Sequence, residues 1–157
     1  MRAIVLGLML GLAPVAALAA DKPSPEEAKK VLDFYYHGKG MGAVLMETKV
    51  CRDIQREGDD KSECAGDITG QNVKKGDSAY IWMNFMAPNG DEAQKMIVQF
   101  EFNGVARSVK EVSVPGQLRA RNWLKFTFDK VGTWKVKIVH DTGSSTDLLG
   151  TRDVTVE

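Results

Sequence analysis

His140 and Asp141, with Ser144 and Ser145 close behind them, are the grouping in this chain with the residue types of an acid-base or nucleophilic site. Such chemistry needs a histidine held by a carboxylate and aimed at a hydroxyl. Adjacent residues of a strand point to opposite faces, so His140 and Asp141 are poorly placed to form that orienting pair. The sequence contains no nucleophile elbow, phosphate-binding loop or metalloprotease helix motif. No catalytic residue and no cofactor is therefore expected, and the chain reads as a protein that is not an enzyme.

Metal chemistry has a thin basis. Soft thioether and imidazole ligands suit copper, and Met41, Met46, Met83, Met86 and Met96 are available together with His37 and His140. His37-Gly38-Lys39-Gly40-Met41 is the one compact grouping, which makes a copper-handling protein the alternative functional reading. Methionine also fills cores, and Met83 and Met96 fall in segments expected to be buried. Cys51 and Cys64 do not stand at zinc-like spacing with either histidine. The acidic run Glu57-Gly58-Asp59-Asp60 lacks the spacing and the closing glutamate of a calcium loop.

The pair Cys51 and Cys64 has a different use. Met1 to about Ala20 has the form of a secretion signal: Arg2, then an apolar run from Ile4, then the small residues Ala16, Ala17, Ala19 and Ala20. Pro14 interrupts the run, which is also shorter than the roughly 20 residues of a spanning helix. Export to the periplasm, or beyond the cell, with cleavage near Ala20 is the expectation, and no membrane span should remain. An even cysteine count in an exported chain favours a disulfide. A redox Cys-x-x-Cys pair is not present.

Three stretches follow from this: the signal over 1–20, a helix and link over 21–40, and a single domain over 41–157. Acids and bases are equal in number, 21 each. That balance gives no global pull toward nucleic acid.

Ser24-Pro25-Glu26-Glu27 combines an N-cap residue, proline at the first helical position and glutamate at the capping-box position. A helix is predicted from there to about Tyr36, stopped at Gly38 and Gly40, with Phe34, Tyr35 and Tyr36 packing on a sheet. The pattern then changes to strands: Ala43 to Arg56, Ser78 to Met86 covered on both faces, and an alternating strand through Met96, Val98, Phe100 and Phe102. Pro88-Asn89-Gly90-Asp91 marks a turn. Asn103-Gly104 is the strongest hairpin signal and leads into Val105 to Val114. Leu118 to Phe128, Thr133 to His140 and about Leu148 to Val156 complete the series. About seven closely spaced strands without intervening helices predict an all-β, antiparallel, immunoglobulin-like β-sandwich with a short N-terminal helix.

The closing passage Gly132-Thr133-Trp134-Lys135-Val136-Lys137-Ile138, with the terminal Val154-Thr155-Val156, resembles a family of immunoglobulin-like C-terminal domains of unknown function from bacterial envelopes. Cys51-Arg52-Asp53-Ile54, Tyr80-Ile81-Trp82 and Arg121-Asn122-Trp123 fit the same outline. The resemblance covers about residues 43–157. Where such domains tend to carry His-x-Trp before the Asn-Gly turn, this chain has Gln99-Phe100-Glu101-Phe102, so no role for that histidine passes to it. The resemblance implies a sandwich module of the envelope and brings no activity.

One surface is expected to bind. If Phe128 faces Trp134 across a last hairpin, Phe126 faces Val136 and Leu124 faces Ile138, which makes one apolar inner face. The outer face of that hairpin would then carry Arg119, Arg121, Trp123, Lys125, Lys135 and Lys137. A basic stripe with an indole in it suits an anionic or sugar-rich polymer, through charge and stacking. The expected function is a non-catalytic exported binding module of the bacterial envelope, contacting a protein partner or an anionic or saccharide polymer. Neither nucleic acid nor a bilayer is an expected partner. The plainer account of the stripe is a solvated outer face whose lysines discourage edge pairing.

Overall fold

The computed structural model describes residues 23–37, 42–59, 61–87 and 92–157. The expected export signal lies outside the described residues, as do Met41, the glycine stop at Gly38 and Gly40, and the turn Pro88 to Asp91. Among the described residues no helix is long and apolar enough to cross a membrane.

Helix α1 (Pro25–Tyr36) starts where the capping signal places it. Glu27 N–H donates to Ser24 Oγ, and Ser24 N–H donates to the Glu27 carboxylate, which satisfies two of the donors a helix start leaves open. Strands follow as β1 (Val44–Ile54), β2 (Cys64–Asp67), β3 (Ser78–Met86), β4 (Gln94–Phe102), β5 (Val105–Val114), β6 (Ala120–Thr127), β7 (Gly132–Asp141) and β8 (Thr146–Val156). β2 is the strand the sequence did not reveal. At four residues it is too short for its alternation to show.

The strands form two antiparallel four-stranded sheets, ordered β2-β1-β3-β6 and β5-β4-β7-β8. Leaving aside the added edge strand β2, β1-β3-β6 facing β5-β4-β7-β8 is the A-B-E against C′-C-F-G arrangement of immunoglobulin-like sandwiches. The fold is an all-β antiparallel sandwich. Asn103 (φ 52°) and Gly104 (φ 75°) both occupy the left-handed region and close the two-residue β4–β5 turn, with Phe102 opposite Val105.

The inner faces interlock through aromatic rings. Phe126 from the first sheet stacks on Phe100 from the second at 3.8 Å between centroids, and Trp134 meets the edges of Phe126 and Phe128. The Trp134 indole N–H is satisfied by the carbonyl of Lys130 at 2.9 Å. Met83 and Met96 are fully buried in this core, as their strand positions predict.

Side chains stitch the open flanks of the sandwich. Asn122 donates to the carbonyl of Ser113 and Lys110 to that of Lys125, both between β5 and β6. On the other flank Arg152 donates to the carbonyl of Thr48 at 2.8 Å. Backbone groups that edge strands would otherwise expose are thereby paired across the two layers.

Candidate functional site

The hairpin expected between Leu118–Phe128 and Thr133–His140 does not form. β6 pairs with β3 and β7 pairs with β4 and β8, so the two strands face each other across the core from different sheets. Phe126, Phe128 and Trp134 do meet, but across layers instead of along a ladder. The stripe built on that hairpin is therefore divided. Trp123 and Lys125 share the outer face of the first sheet with Arg121, whereas Lys135 and Lys137 lie on the outer face of the second.

Most of these cations are also answered locally. Arg119 holds Glu27 of α1 through its two terminal guanidinium nitrogens at 3.1 and 3.2 Å. Arg121 pairs with Glu63, Lys135 with Asp153 at 3.5 Å, and Lys137 with Glu101 at 2.6 Å.

What remains on the first sheet is a compact aromatic and cationic face built on β3. Antiparallel pairing places Lys49, Trp82 and Trp123 in one row, and Cys51, Tyr80 and Lys125 in the next. Cys51 is bonded to Cys64, with their Cα atoms 5.6 Å apart. The bridge draws the loop after β1 over the sheet, where Cys51, Ile54 and Trp82 form a second small core packed against Cys64, Tyr80 and Trp123. Trp82 is only 2% exposed although it points away from the main core. Its indole N–H donates to the carbonyl of Ser62 at 2.7 Å. Ser78 to Met86 is thus covered on both faces, as its composition predicts.

On this platform Arg56 and Lys125 lie over the Tyr80 ring, at 5.9 and 5.8 Å from its centre. Lys49 lies 5.2 Å from the centre of the Trp82 ring. Among the described residues neither Arg56 nor Lys125 has a carboxylate partner, while Lys49 is paired with Glu47 at 3.2 Å. Tyr80, Arg56 and Lys49 belong to this face and are missing from the stripe read in the sequence. Alternation within β3 marks Tyr80 and Trp82 as outward, but only knowledge of the β3–β6 pairing sets them beside Trp123 and Lys125.

Asp67, across β1 from this face, has its carboxyl held below the usual aspartate value by hydrogen bonding from the Thr69 side chain and then from its backbone N–H. The N–H bond measures 2.8 Å.

Helix α1 rests on the sandwich without burying any residue. Phe34 turns toward an apolar groove of about 300 Å³ that Val44, Leu45, Leu148 and Leu149 also line. Tyr36 points outward and is 85% exposed, and Tyr35 reaches the Gly42 carbonyl through its hydroxyl at 3.2 Å. Packing on the sheet therefore falls to one of the three aromatics, because consecutive helical residues fan about 100° apart.

His37 caps the helix end, its Nδ1 at 2.7 Å from the carbonyl of Asp33. Its proposed metal partner Met41 is outside the described residues. Among the described residues no group of three or more His, Cys, Asp or Glu side chains converges as metal ligands would. At the tip of the β7–β8 hairpin, Asp141 accepts from the Gly143 N–H, and Thr142 bonds with Ser144 and Ser145. These groups tie the turn together.

No protein-family model and no curated protein sequence matches this chain. Among solved structures it is similar to the CARDB domain of the PF1109 protein from Pyrococcus furiosus in complex with di-metal ions, at 15% identity and a TM-score of 0.45, over 74% of this chain and 94% of that one. The solution structure of a CARDB domain of PF1109 gives 14% and 0.41, over 74% and 97%. Pseudomonas fluorescens alkylpurine DNA glycosylase AlkC, bound to DNA containing an abasic site analog, gives 11% and 0.45, with 76% of this chain matching 31% of that one. Likeness at this level says nothing about ligand, metal or activity, and the fold assignment rests on the strand order itself.

Proposed function

We propose that the chain is an exported, non-catalytic binding module of the bacterial envelope, and that the outer face of its first sheet holds an anionic glycan polymer. The supporting observation is the Tyr80 ring with Arg56 and Lys125 lying over it, beside Trp123, on a face fixed by the Cys51–Cys64 bridge. Aromatic rings offer stacking surface to sugar rings, and cations held at their faces meet carboxylate or sulfate groups along a polymer. A rigid platform lowers the ordering cost of binding. The secretion-type segment Met1 to Ala20 and the resemblance to envelope domains motivate the location.

The probe is immobilised alginate, a polymer of uronic acids. Arg56→Glu with Lys125→Glu should elute at clearly lower salt than the unaltered protein, and Trp123→Ala should weaken retention even at high salt, where charge is screened. Lys135→Glu, on the opposite sheet, should leave retention unchanged. Equal retention of all variants would refute the assignment of this face.

A further inference from the structure

The outer face of the first sheet carries a second feature, beside its β1 bulge and under the first half of α1. The register of β1 on β3 runs Val44 to Met86 and Leu45 to Phe85, then resumes at Glu47 opposite Asn84, which leaves Met46 as an extra residue. Such a bulge bends the strand and frees backbone groups, and bulges are over-represented beside functional sites. Here the carbonyl of Met46 accepts from Lys30 Nζ at 2.7 Å, so the helix reaches down onto the bulge. Between helix and bulge lies a cavity of about 290 Å³, lined by Glu26, Glu27, Lys30, Met46, Glu47 and Asn84.

Asn84 is the unusual member. It is 7% exposed, and its Oδ1 is fully buried with no hydrogen-bond partner among the described residues. The large majority of buried side-chain polar groups in folded proteins are paired, and one left open calls for an explanation. Whichever way the amide is turned, it offers one acceptor and a pair of donors.

The charges around it are of both signs and balanced. Glu27 is occupied by Arg119 and by the Ser24 N–H, and Glu47 has Lys49 at one oxygen. Among the described residues nothing occupies Glu26, the second oxygen of Glu47 or the remaining donors of Lys30, which leaves them for a ligand. The ammonium of Lys30 in the lining disfavours a bare cation, and three carboxylates disfavour a bare anion. A molecule that carries both charges a few bonds apart matches the lining: its ammonium meets Glu26 and Glu47, its carboxylate meets Lys30, and Asn84 bonds to either group.

We propose that the cavity between the first half of α1 and the β1 bulge, centred on Asn84, binds a small zwitterion of the α-amino acid class. Burial lowers the Lys30 pKa, with Glu47 acting in the opposite direction, so its ammonium has already given up part of its hydration before a ligand carboxylate arrives. The site is independent of the Tyr80 face and does not require the glycan reading.

Glycine is the probe, because it contains the recognised groups and little else; methylamine and acetate each carry one half. Titrated into ¹⁵N-labelled protein to about 10 mM, where a millimolar complex is close to saturation, glycine should shift the Asn84 side-chain amide resonances along a saturable curve. Methylamine and acetate should bind at least about tenfold more weakly, as should glycine to Lys30→Met, since each case removes one charge-assisted hydrogen bond. Asn84→Leu should abolish the saturable shifts that glycine causes in the backbone amide resonances of Lys30, Met46 and Glu47. If that variant fails to fold, Lys30→Met and Glu26→Gln, both on the exposed helix, decide the matter. No saturable shift with glycine, or methylamine binding as well as glycine, overturns the proposal.

Discussion

Replacing Cys51 and Cys64 together by alanine tests whether the second core depends on its bridge. The disulfide closes a loop of sequence separation 13. In the chain-entropy model, releasing a loop of that size lets the unfolded chain gain freedom worth about 3 kcal/mol. The loop keeps several non-covalent ties, among them the Trp82 indole bond to Ser62 at 2.7 Å, with a net worth of about 1 kcal/mol, and the Arg121–Glu63 ion pair. Such weak ties do not replace the bridge, because ordering the loop's residues costs roughly 1–2 kcal/mol each. For a domain of this size 1 kcal/mol moves the midpoint by roughly 3–5 °C, so the double variant should melt about 10 °C lower. Thermal and urea unfolding followed by tryptophan fluorescence measure the loss, with Trp82, Trp123 and Trp134 all contributing to the signal. Reducing the unaltered protein should reproduce the effect. A variant that melts within about 2 °C of the unaltered protein would refute the reasoning, because the outer core would then be holding the loop without the covalent tie.

Two further perturbations probe the charges. Lys137→Met strands Glu101, a residue 8% exposed whose side chain is, among the described residues, otherwise bonded only to Gln99, and should cost about 3 kcal/mol in urea unfolding. Adding Glu101→Gln to it should recover most of that loss; a double variant as unstable as the single one would contradict the account. Asp67 gives a pH dependence with a definite sign. Its carboxyl titrates lower in the folded state than in the unfolded chain, so its contribution is present above the ordinary value of 3.8 and is lost as pH falls through the depressed folded value. An NMR titration of the Asp67 carboxyl should show the depression, and Thr69→Val should remove much of it.

Local chemistry was legible wherever a few consecutive residues decide the outcome. Ser24 and Glu27 fix the helix start because both halves of a capping box lie within one turn. Asn103-Gly104 fixes a hairpin because a two-residue turn of this hand needs positive φ at both positions. The run Tyr80 to Phe85 announced a strand covered twice, and the second cover is the disulfide-bound loop. Asn84 lies in the same run and gave no signal: a polar residue on an outward position of a strand is ordinary until the helix and the bulge close over it.

The division of the basic stripe shows where strand periodicity stops being informative. Leu124, Phe126 and Phe128 alternate with outward residues, as do Trp134, Val136 and Ile138, and both sets do point inward. Alternation fixes the face of each side chain, but it is the same whether two apolar rows lie side by side in one sheet or opposite each other in two. The link from Phe128 to Gly132 fits a hairpin turn as well as a crossing from one layer to the other. The ladder decides, and β6 finds β3 through eight consecutive residue pairs from Ser78 opposite Thr127 to Phe85 opposite Ala120. Once β6 belongs with β3, Trp123 and Lys125 acquire Tyr80 and Trp82 as neighbours, and Lys135 and Lys137 acquire the carboxylates of Asp153 and Glu101. One set of basic residues therefore has two fates. Those over aromatic rings keep their charge available to a ligand, and those over acidic neighbours spend it within the sheet.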